Sequence, residues 1–114
     1  MKVIIAGSRA FDDYTLLRHK CDQIIGSTKA EIVSGTAQGA DKLGEKYATE
    51  KGLPVKRFPA NWKLNGNSAG HIRNAEMAEY ADTLIAFWDG QSKGTAGMIR
   101  VAEKKGLRVF IVSP

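Results

Sequence analysis

The sequence predicts an α/β protein with a parallel β-sheet between two layers of helices. Along its 114 residues, five short apolar runs alternate with four longer amphipathic segments. Strands that alternate with helices are typical of parallel sheets with right-handed crossovers. The strand candidates are almost continuously apolar, as expected when both faces of a sheet are covered. We therefore expect a three-layer sandwich with strand order 3-2-1-4-5, formed by residues 1–114 as a single domain.

The first two predicted elements are a strand and a helix. Lys2–Ala6 is short, apolar and rich in β-branched residues, which predicts a buried strand. Asp12 or Asp13 then caps a helix. The apolar positions of this helix recur at helical spacing and are Tyr14, Leu17, Cys21, Ile24 and Ile25. Because Cys21 lies in this stripe, we interpret it as a core residue rather than a nucleophile.

The middle of the chain predicts two strands around a second helix. Glu31–Ser34 is the second strand, and the helix that follows it ends at Gly52. The apolar residues of this helix are Ala40, Leu43, Tyr47 and Ala48. Val55–Phe58 is a weaker strand with two basic residues, which favour the edge of a sheet. The polar segment Pro59–Ser68 is long for a connection, and such loops are often functional.

The last third of the chain predicts two helices, each followed by a strand. Asn67 or Ser68 caps the first of these helices. Its apolar stripe comprises Ile72, Ala75, Ala78 and Ala81. Thr83–Phe87 is the fourth strand, and Leu107–Val112 is the fifth. The helix between them ends at Gly106, and its apolar stripe comprises Thr95, Met98, Ile99 and Ala102.

Composition narrows the classes of function. The chain has one cysteine, which excludes an internal disulfide and a multi-cysteine zinc site. His19 and His71 are isolated, so we expect no metal. No apolar run approaches the roughly 20 residues of a membrane span, and the first residues do not resemble a signal peptide. We therefore expect a cytoplasmic protein without a membrane partner. The net charge of +5 permits a polyanionic partner, but the basic residues are dispersed, which disfavours nucleic acid.

Three loops rich in small residues follow strands 1, 2 and 4. They are Gly7-Ser8-Arg9, SGTAQGAD at residues 34–41 and WDGQSKGT at residues 88–95. The predicted strand order reverses between strands 1 and 4, which opens a crevice where α/β sheets bind ligands. Helix N-termini offer unpaired N–H groups, and glycine lets them approach an anion. We therefore predict a small phosphorylated ligand at this edge of the sheet, with no cofactor required.

The predicted ligand-binding residues come from these loops and from the third helix. Backbone amides, Arg9 and hydroxyl groups would hold phosphate. Asp41 or Asp89 would accept hydrogen bonds from ribose, and Trp88 or Trp62 would stack on a base. The set is Gly7, Ser8, Arg9, Ser34, Gly35, Thr36, Gly39, Ala40, Asp41, Arg73, Asn74, Trp88, Asp89, Gly90, Ser92, Gly94 and Thr95. The alternative for any single loop is a structural turn or helix cap. The alternative for Trp88 is to cap the core, and that for Trp62 is to cover a hydrophobic edge.

The loops match neither of two common nucleotide-binding motifs. No GxxxxGK[ST] sequence occurs, and strand 1 continues as GSRAFDD rather than GxGxxG. A P-loop NTPase and a conventional NAD dehydrogenase are therefore disfavoured.

Four motifs in order resemble the SLOG superfamily, most closely its YspA/YpsA-related branch. They are GSR, SGTAQGAD, the RN of HIRNAEMAEYAD, and DGQSKGT, and the resemblance extends from Lys2 to Val112. It implies a Rossmann-like fold that binds nucleotides or nucleotide-derived ligands, including ADP-ribose-type molecules. It also implies a homodimer or larger homo-oligomer. Relatives include the LOG phosphoribohydrolases and the DNA-binding recombination mediator DprA.

Compared with LOG enzymes, the chain keeps an arginine and lacks a glutamate. HIRNAEMA is similar to the LOG segment ERKAEMAREAD, so Arg73 matches the functional arginine of that family. Gly94 and Thr95 match the GT of PGGxGTxxE, but WDG replaces PGG and no glutamate follows GT. Cleavage of an N-glycosidic bond needs a positioned carboxylate. The resemblance therefore implies ligand binding, for sensing or sequestration, rather than catalysis.

Two alternative functions stay open at this point. The first is a small hydrolase or transferase acting on a nucleotide N-glycosidic or phosphate bond, with Asp41 or Asp89 as its carboxylate. The second is DprA-like binding of single-stranded nucleic acid, which predicts a steep salt dependence.

Overall fold

Five strands and four long helices alternate along the chain. The computed structural model describes all residues 1–114. In chain order the elements are β1 (Lys2–Gly7), α1 (Tyr14–Ile25), β2 (Glu31–Ser34), α2 (Ala40–Lys51), β3 (Val55–Arg57), α3 (Trp62–Asn65), a 3₁₀ turn (Gly66–Ser68), α4 (Ala69–Tyr80), β4 (Thr83–Phe87), α5 (Lys93–Lys104) and β5 (Arg108–Val112). The sheet order is β3-β2-β1-β4-β5, and every neighbouring pair is parallel. The predicted fold class and strand order are confirmed.

Both faces of the sheet are buried beneath helices. Successive side chains of β1 point to opposite faces, as in any extended strand. Val3 and Ile5 join a cluster with residues of α1 and α2, whereas Ile4 and Ala6 join a second cluster with residues of α4 and α5. This double burial explains why the strands are continuous apolar runs rather than alternating ones.

The ends of α1 and α2 follow the local sequence signals. Asp13 caps α1, since its Oδ1 accepts a hydrogen bond from the Leu16 amide at 3.0 Å. Gly52 ends α2 in a left-handed conformation, with φ of 69°.

Cys21 of α1 is fully buried, and burial raises the pKa of its thiol to about 12, which confirms its assignment to the core. No helix in the structure is both long and apolar enough to cross a membrane.

The segment predicted as the loop Pro59–Ser68 contains helical turns. Asn61 caps the short helix α3 by accepting a hydrogen bond from the Leu64 amide at 3.0 Å. The 3₁₀ turn then joins α3 to α4. This segment buries none of the side chains of its own turns, which explains why its sequence shows no apolar periodicity.

The predicted apolar stripe of α4 is wrong at its first two positions. Ile72 is 41% exposed and Ala75 is also exposed, whereas Asn74, Met77 and Ala78 are buried. The inward face of α4 is polar in its first half because that half lies beside the cleft described below. Ser68 occupies the N-cap position, but its side chain makes no capping hydrogen bond.

Two mid-helix glycines provide a matched test of how closely α2 packs on the sheet. A Cβ at Gly44 would lie 2.8 Å from the Cβ of Ile5, whereas the nearest atom to a Cβ at Gly97 is an Arg100 nitrogen at 3.9 Å. We expect Gly44→Ala to lower the free energy of unfolding by about 1–3 kcal/mol through overpacking. Gly97→Ala should leave it unchanged or raise it by up to about 1 kcal/mol through helix propensity. Urea denaturation measures the free energy of unfolding of both variants. Equal effects of the two substitutions would contradict the close packing of α2 on β1.

Candidate functional site

A cleft opens where the carboxyl ends of β1, β2 and β4 meet. Its volume is about 270 Å³, and its walls come from the end of β1, the loop after β2, the region from α3 to α4, and the first turns of α5. The lining residues are Ala6, Gly7, Arg9, Ala37, Asp41, Trp62, Asn67, Gly70, His71, Arg73, Asn74, Met77, Ser92, Lys93, Gly94, Thr95 and Met98. A side cleft, also of about 270 Å³, shares Arg9, Ala37, Trp62 and Arg73 with the main cleft and is also lined by Gly35, Thr36, Pro59 and Ala60.

Two glycines allow the first loop to pack against α2. A Cβ at Gly7 would overlap the carbonyl oxygen of Phe87 and would lie 2.8 Å from the Cβ of Ala40. Gly39 has φ of 80°, and a Cβ there would overlap the carbonyl oxygens of Ser8 and Arg9. Larger residues at either position would separate the end of β1 from α2. The closeness of the first two loops therefore depends on these glycines.

Gly35 makes room for two charged side chains at the second loop. A Cβ at this position would lie 2.8 Å from Oδ2 of Asp41 and 2.9 Å from Nη1 of Arg73. The two side chains nevertheless form no ion pair within 4.0 Å of each other. They border the same space without neutralising each other by direct contact.

Arg73 is held in place by neutral oxygen atoms. Its Nη1 donates to the carbonyl oxygen of Gly35 at 2.5 Å, and its Nε donates to Oδ1 of Asn74 at 2.9 Å. Burial lowers the pKa of the guanidinium from its ordinary value, while Asp41 opposes that shift. Arg9 is exposed at the same cleft and makes no hydrogen bond or ion pair through its side chain. The cleft thus holds one fixed and one free guanidinium.

Asp41 is the one carboxylate that lines the main cleft. It is 6% exposed, and its Oδ2 accepts a hydrogen bond from the Ala37 amide at 3.2 Å. Burial raises its pKa to about 6, although the Ala37 N–H and the charge of Arg73 both act in the opposite direction. A carboxyl group of this kind exchanges a proton close to neutral pH.

The N-terminus of α5 presents unpaired backbone amides to the cleft. Ser92 caps the helix, with its Oγ 3.0 Å from Oγ1 of Thr95 and 3.4 Å from the Thr95 amide. The amides of Lys93 and Gly94 donate to no group of the protein. Such N–H groups, with the positive end of the helix dipole, are suited to an anion.

Ten of the predicted site residues border one of the two clefts. They are Gly7, Arg9, Gly35, Thr36, Asp41, Arg73, Asn74, Ser92, Gly94 and Thr95. The other seven line neither cleft, and these are Ser8, Ser34, Gly39, Ala40, Trp88, Asp89 and Gly90.

Three of these seven form the turn before α5. Oδ1 of Asp89 accepts hydrogen bonds from the amides of Gln91 and Ser92, each at 2.8 Å. These backbone bonds lower the pKa of the exposed carboxylate. Trp88 packs on the core, and its indole donates to the carbonyl of Ser92 at 3.0 Å. Gly90 has φ of 81° and shapes the turn. These contacts give Trp88, Asp89 and Gly90 structural roles in the turn, and their predicted contacts with a ligand stay predictions.

The other four residues are used within the first two loops and the core. The Ser34 hydroxyl donates to Oε2 of Glu45 at 2.6 Å. Ala40 is fully buried in the core, and Gly39 lies against the backbone of the first loop. Ser8 is buried; its amide donates to the carbonyl of Phe87 at 3.2 Å, whereas its hydroxyl has no hydrogen-bond partner. None of the four lines either cleft, and their predicted contacts with a ligand stay predictions.

Several lining residues were not among the predicted set. Lys93 stands inside the third loop directly before Gly94, so its sequence position was a usable signal. Asn67, Gly70 and Met98 carry no such signal, because their place in the cleft depends on how α3, α4 and α5 pack together. Trp62, predicted only as a possible stacking residue, lines both clefts and is 54% exposed.

Replacing Asp41 tests the cost of burying its carboxylate. Folding raises its pKa from 3.8 to about 6, so the folded state binds the proton more tightly than the unfolded state. The ionised group therefore destabilises the fold above pH 6, and this cost fades as the pH falls toward 4. We expect Asp41→Asn to raise the free energy of unfolding by about 1–3 kcal/mol at pH 7.5 and by much less at pH 4.5.

Urea denaturation at both pH values measures the difference, with the exposed carboxylate of Asp12 replaced in the same way as the control. An effect of Asp41→Asn that does not change with pH would contradict the assigned environment.

One sequence relative and three solved structures extend the resemblance noted above. The Gene 61 protein of Mycobacterium phage D29 is 34% identical over 117 residues, which cover 96% of this chain and 94% of that protein. DNA processing protein A (DprA) from Streptococcus pneumoniae superposes with a TM-score of 0.78 and 19% identity. That match covers 99% of this chain and 50% of the DprA chain, so this chain spans about half the length of that protein.

Two further structures have the same fold. The structural-genomics target TM1055 superposes with a TM-score of 0.71 and 19% identity, over 95% of this chain and 71% of that chain. DprA from Helicobacter pylori, described for its single-stranded DNA binding mode, superposes with a TM-score of 0.68 and 19% identity. That match covers 100% of this chain and 66% of the DprA chain. A model of the YspA, cpYpsA-related SLOG family (YAcAr) matches residues 1–64. The chain belongs to this family.

Proposed function

We propose that the cleft binds a nucleotide or a nucleotide-derived ligand of the ADP-ribose type, for sensing or sequestration. Membership of a SLOG family supports binding of a nucleotide or a nucleic acid at a general level. The finer assignment to a small phosphorylated ligand rests on the charge and hydrogen-bonding capacity of the cleft.

The observation that carries this proposal is an excess of positive charge and hydrogen-bond donors at one place. Arg9, Arg73 and Lys93 border the main cleft, and Asp41 is the one acidic residue there. The free amides of Lys93 and Gly94 add donors that need no side-chain rearrangement. Phosphate oxygens satisfy such donors through charge-assisted hydrogen bonds.

The remaining lining residues suit the other parts of a nucleotide. The exposed indole of Trp62 offers an aromatic surface between the two clefts, against which a base can stack. Asp41 can accept a hydrogen bond from a ribose hydroxyl. The main cleft of about 270 Å³ is close to the lower limit of roughly 300 Å³ for ligand pockets, and the side cleft extends the space.

A hydrolase or transferase is the second candidate, and one observation favours it. Asp41 lies in the cleft with a pKa of about 6, a value suited to a general acid or base near neutral pH. Asp89, the other carboxylate considered, is engaged by its own turn. Product formation from nucleoside monophosphates, NAD or ADP-ribose would favour this candidate, provided that Asp41→Asn abolishes it.

The partner and assembly state are proposals of the same kind. We expect a cytoplasmic homodimer or larger homo-oligomer that contains a phosphorylated ligand. Native mass spectrometry of freshly purified protein reports assembly size and a co-purifying nucleotide together. Micromolar binding of single-stranded DNA with a steep salt dependence would instead favour a function like that described for H. pylori DprA.

Arg9 provides the cleanest test of the proposal because its side chain has no structural partner. We expect Arg9→Ala to weaken binding of ADP-ribose by about 1–3 kcal/mol, the usual cost of losing a charge-assisted contact. Isothermal titration calorimetry measures the affinity, and the melting temperature should change little. Arg18→Ala removes the same charge from α1, which contributes no residue to either cleft, and serves as the control. Equal affinities of the wild-type protein and Arg9→Ala would refute the role of Arg9.

A further inference from the structure

Thr36 adopts an unusual backbone conformation next to the cleft. Its φ is 65°, and it is the one residue other than glycine with a positive φ in the chain. This left-handed region is unfavourable for a β-branched side chain. Neighbouring interactions must therefore hold the second loop in its observed shape.

A partly buried hydrogen-bond network provides these interactions. Ser34 Oγ donates to Oε2 of Glu45 at 2.6 Å and accepts from the Thr36 amide at 3.1 Å. Because the Ser34 hydroxyl donates its hydrogen to the carboxylate, its oxygen is oriented to accept a hydrogen bond from the Thr36 amide. Glu45 lies on α2, lines neither cleft, and its side chain is 12% exposed.

Glu45 is itself anchored in its ionised form. Its Oε1 accepts from Nε of Arg57 at 3.1 Å, and Nζ of Lys42 lies 3.8 Å from its Oε2. Burial alone would raise the pKa of Glu45, but the hydrogen bonds from Ser34 and Arg57 bring it below its ordinary value. The weak edge strand β3, which carries Arg57, is thereby tied to α2.

The same loop positions both charged residues that flank Gly35. The Gly35 carbonyl accepts from Arg73 at 2.5 Å, and the Ala37 amide donates to Asp41 at 3.2 Å. These two backbone groups stand on either side of Thr36 in the sequence. A change in the backbone at Thr36 would therefore move the partners of Asp41 and Arg73 together.

We propose that Glu45 is a positioning residue for the cleft: acting through Ser34, it holds the left-handed turn at Thr36 that aligns Asp41 and Arg73. No motif of the family resemblance includes Glu45. The inference rests on the proposed function for its affinity readout, whereas the geometry of the loop can be tested without a ligand.

The ligand-free test is an NMR titration of the Asp41 side-chain carboxyl in the protein of residues 1–114. The groups that act on Asp41 are the Ala37 amide, Arg73, Glu45 and Lys42. Glu45→Gln removes a nearby negative charge but keeps an oxygen for the Ser34 hydroxyl, so the pKa of Asp41 should fall. Glu45→Ala removes the same charge but also releases the loop. Because the Ala37 hydrogen bond affects the pKa of Asp41 more than the charge of Glu45 does, losing both should raise this pKa.

Ser34→Ala keeps the charge of Glu45 and removes the acceptor of the Thr36 amide, so it tests the same link if Glu45→Ala does not fold. It too should raise the pKa of Asp41. The control is Glu50→Ala, because Glu50 also accepts a hydroxyl at 2.6 Å on α2, from Tyr14, and lines neither cleft. It should leave the pKa of Asp41 unchanged.

The variants that release the loop should also bind ADP-ribose more weakly. We expect Glu45→Ala and Ser34→Ala to bind about three- to tenfold more weakly, the range for one lost hydrogen bond, and Glu50→Ala to bind like the wild-type protein. A pKa of Asp41 that falls in Glu45→Ala as in Glu45→Gln, or that is unchanged in Ser34→Ala, would overturn the positioning role. Failure of the wild-type protein to bind ADP-ribose would contradict the proposed function alone, since the titration still tests Glu45.

Discussion

The shape of the cleft depends on how closely the carboxyl end of β1 approaches the N-terminus of α2. There is no space for a side chain at Gly7, which packs on Phe87 and Ala40, or at Gly39, which packs on the first loop. Because β1 is the central strand, this contact also fixes the distance between the loops on either side of it. Three loops that are far apart in sequence therefore border one space, and α3 and α4 form a further wall of it.

The charges of the site are stabilised by backbone groups rather than by ion pairs. Arg73 is held by a carbonyl oxygen and Asp41 by an amide, and the four ion pairs of the protein all lie elsewhere. A charge that is buried without a neutralising partner costs folding free energy. Such a cost is typical of sites in which a ligand supplies the missing partner. The arrangement accordingly favours an anionic ligand at the guanidinium groups.

The fold could be predicted from the sequence because its signals are local. The continuous apolar strands, the glycines at helix ends and the cap at Asp13 each act within a few residues. The site could be predicted only in part. On α4, the predicted apolar stripe places Ile72 in the core, whereas the structure buries Asn74 instead. Asp89, predicted to bind a ligand, accepts hydrogen bonds within its own turn, and nothing in its local sequence distinguishes these two roles. Glu45 gave no signal, because its importance comes from a contact with Ser34 eleven residues away.

The central claim is that the three loops form one binding surface for a phosphorylated ligand. The most direct measurement is a ¹⁵N NMR titration of the wild-type protein with ADP-ribose, followed at every assigned backbone amide. The account predicts the largest shifts at Arg9, Gly35, Lys93 and Gly94, one or more from each loop, with one common dissociation constant. Saturable binding that shifts amides of α1 while those four stay unchanged would contradict it.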